Sequence, residues 1–95
     1  MKVQNMTNDN GNKVANQFII QTDTPQGFET YFQSYNSIIV LKRRRAEHMP
    51  EVYLDSDTWD YSRTTGKYRN QFLGETKAET QKKIDSGEYI LTDLN

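Results

Sequence analysis

The sequence predicts an α+β domain ordered β-β-β-β-α-α-β, in which an antiparallel sheet carries two short helices packed on one face. Three observations predict it. Apolar and polar residues alternate through Val14–Gln21 and again through Phe28–Ser34, and period-2 alternation is the mark of a strand. Tyr61, Thr65, Tyr68 and Phe72 then fall at i, i+4, i+7 and i+11, one stripe of a helix. Finally, Thr76-Lys77-Ala78-Glu79 is a capping box, which opens a second helix.

Taken in order, the first thirteen residues, MKVQNMTNDNGNK, are rich in Asn and show no periodicity. They are expected to form a flexible arm (1–13), because they bury too little apolar area to offset the entropy of ordering. The remaining 14–95 form a single domain. In the first strand Val14, Asn16, Phe18 and Ile20 share one face, and Ala15, Gln17, Ile19 and Gln21 share the other. Thr22–Gly27 supplies turn chemistry through Pro25 and Gly27, and Phe28–Ser34 completes a hairpin. After the tight turn Tyr35-Asn36-Ser37 comes Ile38-Ile39-Val40-Leu41, an apolar run suited to a central strand covered on both faces. Ala46–Pro50 reads as a loop and Glu51–Leu54 as a fourth strand of a meander.

Asp60 or Ser62 caps the first helix, Gly74 ends it, and its aromatic stripe is expected to cover Phe18, Ile20, Phe32 and part of Ile38–Leu41. The second helix runs near Thr76–Ser86, with Glu79 and Lys83 paired at i, i+4 and Gly87 at its end. Glu88–Thr92 closes the sheet.

Composition bounds the function. The 95 residues include twelve Lys or Arg, thirteen Asp or Glu, one His and no Cys, for a net charge of −1. Without cysteine there is no disulfide framework, thiolate nucleophile or Cys-based metal site. No apolar run approaches the ~20 residues that span a bilayer, so a cytoplasmic setting and no membrane partner are expected. His48, the sole histidine, stands in a loop without a sequence signal for catalytic partners. Asp55, Asp57 and Asp60 begin like a calcium-binding loop, but the glycine and terminal Glu of that pattern are absent; turn and cap duty explains the same residues. No enzyme chemistry, cofactor or metal is expected.

The basic residues carry more information. Lys42, Arg43, Arg44 and Arg45 follow the apolar run directly, with His48 close behind. Alternation sends their side chains to both faces of a strand. Arg63 and Lys67 lie one helical turn apart, and Arg69 is nearby. With Tyr61 available for stacking, that helix face could contact phosphates, although the net charge of −1 argues for a mixed surface. Six Tyr, four Phe and one Trp exceed what a core this small absorbs. A Tyr- and Arg-rich surface without a catalytic set favours protein binding. The candidate contacts are therefore Lys42, Arg43, Arg44, Arg45, His48, Tyr61, Arg63, Lys67 and Arg69.

A resemblance adds context. Gly11–Ile20, Tyr31–Ile39, Tyr53-Leu54-Asp55, Trp59–Glu75 and Ser86–Tyr89 together resemble a family of small proteins of unknown function from bacteriophages and related mobile elements. Trp59–Glu75 is its most specific block. The Pro25 turn and the Arg43–Met49 loop stand apart from it. The resemblance implies a protein acting inside a bacterium by binding a host or defence protein, with anti-CRISPR inhibition of a nuclease complex as one concrete form. The alternative is a small nucleic-acid-binding protein using the Arg63, Lys67 and Arg69 face. Homodimerisation through an open sheet edge is a further option.

Overall fold

The computed structural model describes residues 1–95. Six strands and two helices form an α+β fold: β1 (Lys2–Thr7), β2 (Lys13–Thr24), β3 (Gly27–Ser34), β4 (Ser37–Arg45), β5 (Glu51–Asp55), α1 (Arg63–Leu73), α2 (Lys77–Asp85) and β6 (Tyr89–Thr92). The strands lie in sequence order across one sheet. All neighbours are antiparallel except β5 and β6, which run parallel. The chain leaves β5, forms both helices and returns in the direction it left, as a parallel pair requires.

The expected N-terminal arm is instead β1. Lys2, Val3, Gln4 and Asn5 pair with Gln21, Ile20, Ile19 and Phe18, so backbone hydrogen bonds order this polar segment. Met6, only 2% exposed, plugs it into the core. The Asn-rich stretch that follows is turn chemistry: the Asn8 carboxamide oxygen accepts from the backbone N–H groups of Asn10 and Asn12 at 3.0 Å.

The next turn is tighter than expected, with Thr24 directly opposite Gly27. At Gly27 an added Cβ would fall 2.0 Å from the Arg44 carbonyl oxygen, so only glycine lets β3 and β4 approach there. In β4 the pairing steps from Gln33–Ile38 to Phe32–Val40, which leaves Ile39 as an extra residue. That bulge explains how Ile39 and Val40, consecutive in sequence, both join the core. β4 also extends through the whole Lys42–Arg45 block.

Ser62 caps α1 by accepting from the Thr65 N–H at 3.1 Å, and Gly74 closes it in the left-handed conformation. α1 lies on β3 and β4. The Phe72 ring stacks on Phe32 at 5.8 Å, the Thr65 and Ser34 hydroxyls meet at 2.8 Å, and Lys42 Nζ donates to the Phe72 carbonyl at 2.9 Å. α2 begins with both halves of the Thr76–Glu79 capping box and packs against β6.

Two expectations about the packed face change. Tyr61 precedes α1 and stands exposed, so the helical stripe facing the sheet is Thr65, Tyr68 and Phe72. Within β2, Ile19 rather than Phe18 and Ile20 faces the helices, alongside Phe32.

Candidate functional site

Both helices lie on one side of the sheet, which leaves the other side uncovered. The pairing register defines what that side carries. Val3 pairs with Ile20, Ile20 with Tyr31, Tyr31 with Leu41, Leu41 with Tyr53, and Tyr53 with Ile90. One apolar or aromatic residue from each strand therefore forms a continuous row across all six strands. Val3 and Ile90 at its two ends are 57% and 48% exposed, and Leu41 at its centre is buried between its neighbours.

The adjacent row is charged. Glu29 pairs with Arg43, and Arg43 with Glu51. Arg43 Nε donates to Glu29 Oε2 at 2.7 Å, and its Nη1 lies 3.8 Å from Glu51 Oε2. Arg45 pairs with the other oxygen of Glu51. The Tyr31 hydroxyl donates to Glu29 at 2.9 Å, and the Tyr53 hydroxyl donates to Glu51. The Arg43 guanidinium also sits over the Tyr53 ring, 5.4 Å from its centroid. These contacts tune the groups involved. The hydrogen bond from Arg43 holds the Glu29 carboxyl below its usual range, and those from Tyr53 and Arg45 do the same for Glu51. Burial, then Glu29, pushes the Tyr31 phenol up, and Glu51 pushes the Tyr53 phenol up. Two arginines balance two glutamates, so the open face is close to neutral.

The Lys42–Arg45 run is thus divided. Lys42 turns to the helical side, its ammonium 4.4 Å from the Phe72 ring centroid, where burial lowers its pKa. Arg43 and Arg45 are neutralised on the open face, and Arg44 and His48 are exposed. No four-charge patch forms.

The second basic set is largely brought together. A shallow groove of about 530 Å³ at the start of α1 is lined by Asp60, Tyr61, Ser62, Arg63, Gly66, Lys67, Arg69, Asn70 and Lys77. Sequence reasoning missed Lys77, which enters from α2. Its i, i+10 offset from Lys67 lies across a helix break, so no periodicity within one element links the two. Arg69 corrects the expectation of a surface contact: it is 1% exposed. Its Nη1 donates to the Trp59 carbonyl at 2.6 Å and to Asp60 Oδ1 at 3.2 Å, and its Nη2 donates to Asn70 Oδ1 at 2.9 Å.

The aspartates have structural partners. Asp55 accepts from the Leu94 N–H at 2.8 Å and from the N–H and hydroxyl of Thr58. Burial raises its pKa, but these hydrogen bonds together outweigh burial and leave it lowered. Asp60 is shared between Arg69 and Lys77, the latter at 2.6 Å. No three His, Cys, Asp or Glu side chains converge as a metal site, and no helix is long and apolar enough to cross a membrane.

A family model matches residues 1–88, from before β1 to the edge of β6. The chain belongs to the DUF8033 family. DUF8033 is a family of unknown function, and its match takes in β1, the groove and every residue of the open-face row except Ile90. No curated protein and no solved structure matches the chain.

Proposed function

We propose that this DUF8033 chain is a non-enzymatic protein that binds a bacterial protein through its open sheet face. The observation that carries the reading is the row Val3–Ile20–Tyr31–Leu41–Tyr53–Ile90 beside the Glu29–Arg43–Glu51 row. An antiparallel sheet tolerates one solvated face, but that face is ordinarily polar. Here an apolar strip that contains Tyr31 and Tyr53 lies next to Arg43 and Arg45, and Tyr and Arg are residue types enriched at interface hot spots. The neutrality of the face selects the partner chemistry. A nucleic-acid backbone calls for a net positive surface, whereas a protein surface with an apolar strip flanked by both charge signs matches this one. The interface accordingly moves from the candidate cluster Lys42–Arg45 with His48 to the centre of the sheet, retaining Arg43 and Arg45. The resemblance to phage proteins supports a finer version, in which the partner belongs to a defence nuclease complex that the chain inhibits.

The test is affinity capture from bacterial lysate with three baits: the wild-type chain, a Val3→Arg/Ile90→Arg double variant, and Lys67→Glu on the helical side. All three substitutions fall at exposed positions, where stability changes stay within about 0.5 kcal/mol. The expected result is a protein retained by the wild type and Lys67→Glu and depleted at least tenfold by the double variant. Equal recovery by all three baits refutes the interface. Light scattering that finds a dimer of the chain, dissolved by the double variant, assigns the face to a second copy instead.

A further inference from the structure

The groove at the start of α1 lies on the helical side, away from the open sheet face, and unlike that nearly neutral face it is strongly basic. Four cations line it, Arg63, Lys67, Arg69 and Lys77, against the single carboxylate of Asp60. Both Asp60 oxygens are already engaged, Oδ1 by Arg69 and Oδ2 by Lys77. Arg63 and Lys67 have no carboxylate partner within 4.0 Å. In a chain whose net charge is −1, this is a local concentration of positive charge inside a concavity, where such charge attracts anions most strongly.

Three further features point to the kind of anion. The Arg69 guanidinium lines the groove while 1% exposed, and its Nε has no hydrogen-bond partner. Gly66, one turn before it, is also buried and places no side chain over that guanidinium; an added Cβ there would lie 3.7 Å from Arg69 Nη2. The first turn of α1 contains no acidic residue, and its Ser62 cap occupies the Thr65 N–H, so the N–H groups of Arg63 and Thr64 remain available at the positive end of the helix. Tyr61, 48% exposed, forms part of the same lining and offers a ring on which a base can stack.

We propose that this groove binds the phosphate of a nucleotide unit, with Arg63, Lys67 and Lys77 on the phosphate oxygens, Arg69 at the floor and Tyr61 against the base. The unit belongs to a single strand or to a free nucleotide, and the two sources share this recognition chemistry. The site does not depend on the protein-binding reading of the sheet face. Its residues are separate from those substituted at Val3 and Ile90, so the two readings fail independently.

The test measures binding of a fluorescent deoxythymidine oligonucleotide by anisotropy at 50 and 200 mM salt. Calorimetric titrations with a mononucleotide and with inorganic phosphate run alongside. One neutralised phosphate on a single strand implies affinity about threefold weaker at the higher salt. Lys67→Glu and Arg63→Glu, both at exposed positions, should each weaken binding at least tenfold. Tyr61→Ala should weaken the oligonucleotide several-fold and leave the salt dependence unchanged. Tighter binding of the oligonucleotide than of the mononucleotide assigns the site to a strand, and equal binding assigns it to a free nucleotide. The proposal is overturned by no binding of either at 50 mM salt, by binding that both charge reversals leave intact, or by inorganic phosphate binding as tightly as the nucleotides.

Discussion

Arg69 donates three hydrogen bonds from a position where 1% of its surface reaches solvent, and its guanidinium carbon lies 5.1 Å from the centroid of the Trp59 ring. A planar fork satisfies the Trp59 carbonyl, Asp60 and Asn70 at once, which a lysine ammonium on a flexible stem does not reproduce. Arg69→Ala leaves the Trp59 carbonyl without this donor and should cost about 3 kcal/mol; Arg69→Lys should recover less than half of that. Lys67→Ala, at an exposed position two residues earlier, should stay within about 0.5 kcal/mol. Urea unfolding of the three variants checks the ordering. Equal stability of Arg69→Ala and Lys67→Ala would contradict the structural role given to Arg69. The neighbouring Gly66 behaves oppositely. It sits inside α1 with helical backbone, and an added Cβ meets the Arg69 guanidinium at 3.7 Å, an ordinary contact. Gly66→Ala should therefore raise stability by up to about 1 kcal/mol through helix propensity and a less flexible unfolded chain, seen as a higher urea midpoint.

At the scale of elements, the β2–β3 turn and β1 decide whether the sheet assembles in this register. Gly27→Ala drives a Cβ to 2.0 Å from the Arg44 carbonyl oxygen, a backbone atom that can yield only if β4 shifts. The expected loss is about 2–3 kcal/mol, measured as a lower urea midpoint, and a midpoint equal to wild type would mean that the strands do not approach there. These elements also show how far the sequence could be read. Thr76 and Glu79 specify their helix start because a capping box is a local, two-residue reciprocal bond. Phe32 and Phe72 could be matched because each lies on a clear period of its own element. The inner face of β2 could not be read, since Phe18 and Ile20 are as apolar as Ile19 and both faces of that strand carry apolar rows. β1 was missed because backbone pairing and one methionine hold it, and neither leaves an apolar period. For the same reason the row Val3–Ile90 was invisible: it runs perpendicular to the chain and exists only once the register is known. Lys77 joined Arg63 and Lys67 only through the turn between the helices.

For the molecule as a whole, stability should form a plateau that falls at both acid and alkaline pH, because its ion pairs displace titrations in both directions. Glu75 anchors the linker between α1 and α2 to β6. Its Oε1 accepts from the Tyr89 hydroxyl at 2.6 Å and from Thr80 at 3.1 Å, and Lys83 lies 2.7 Å from its Oε2. Burial raises the Glu75 pKa, but Lys83, Tyr89 and Thr80 together outweigh it and leave it lowered. Glu29, Asp55 and Asp60 are lowered as well. A carboxyl with a depressed folded pKa contributes stability that is present above its unfolded value, about 4, and disappears as pH falls through the folded value. The acid limb should therefore begin near pH 4–5. Tyr89 has the opposite sign. Burial and then the Glu75 carboxylate push its phenol from 10.0 up to about 12. The folded state thus holds this proton more tightly, and the associated stability is full below pH 10 and lost as pH rises toward 12. Tyr31, Tyr53 and Lys83 are also raised and add to that loss, while Lys42, lowered by burial, offsets part of it. Urea midpoints measured from pH 3 to 11.5 should trace this shape. Tyr89→Phe removes one hydrogen bond, lowering the plateau by about 1 kcal/mol, and it removes one titrating group, making the alkaline limb shallower. Glu75→Gln should lower the plateau and make the acid limb shallower, because it deletes a carboxyl whose protonation drives that loss. An alkaline limb as steep in Tyr89→Phe as in wild type would show that the Tyr89–Glu75 bond does not couple β6 to the helices.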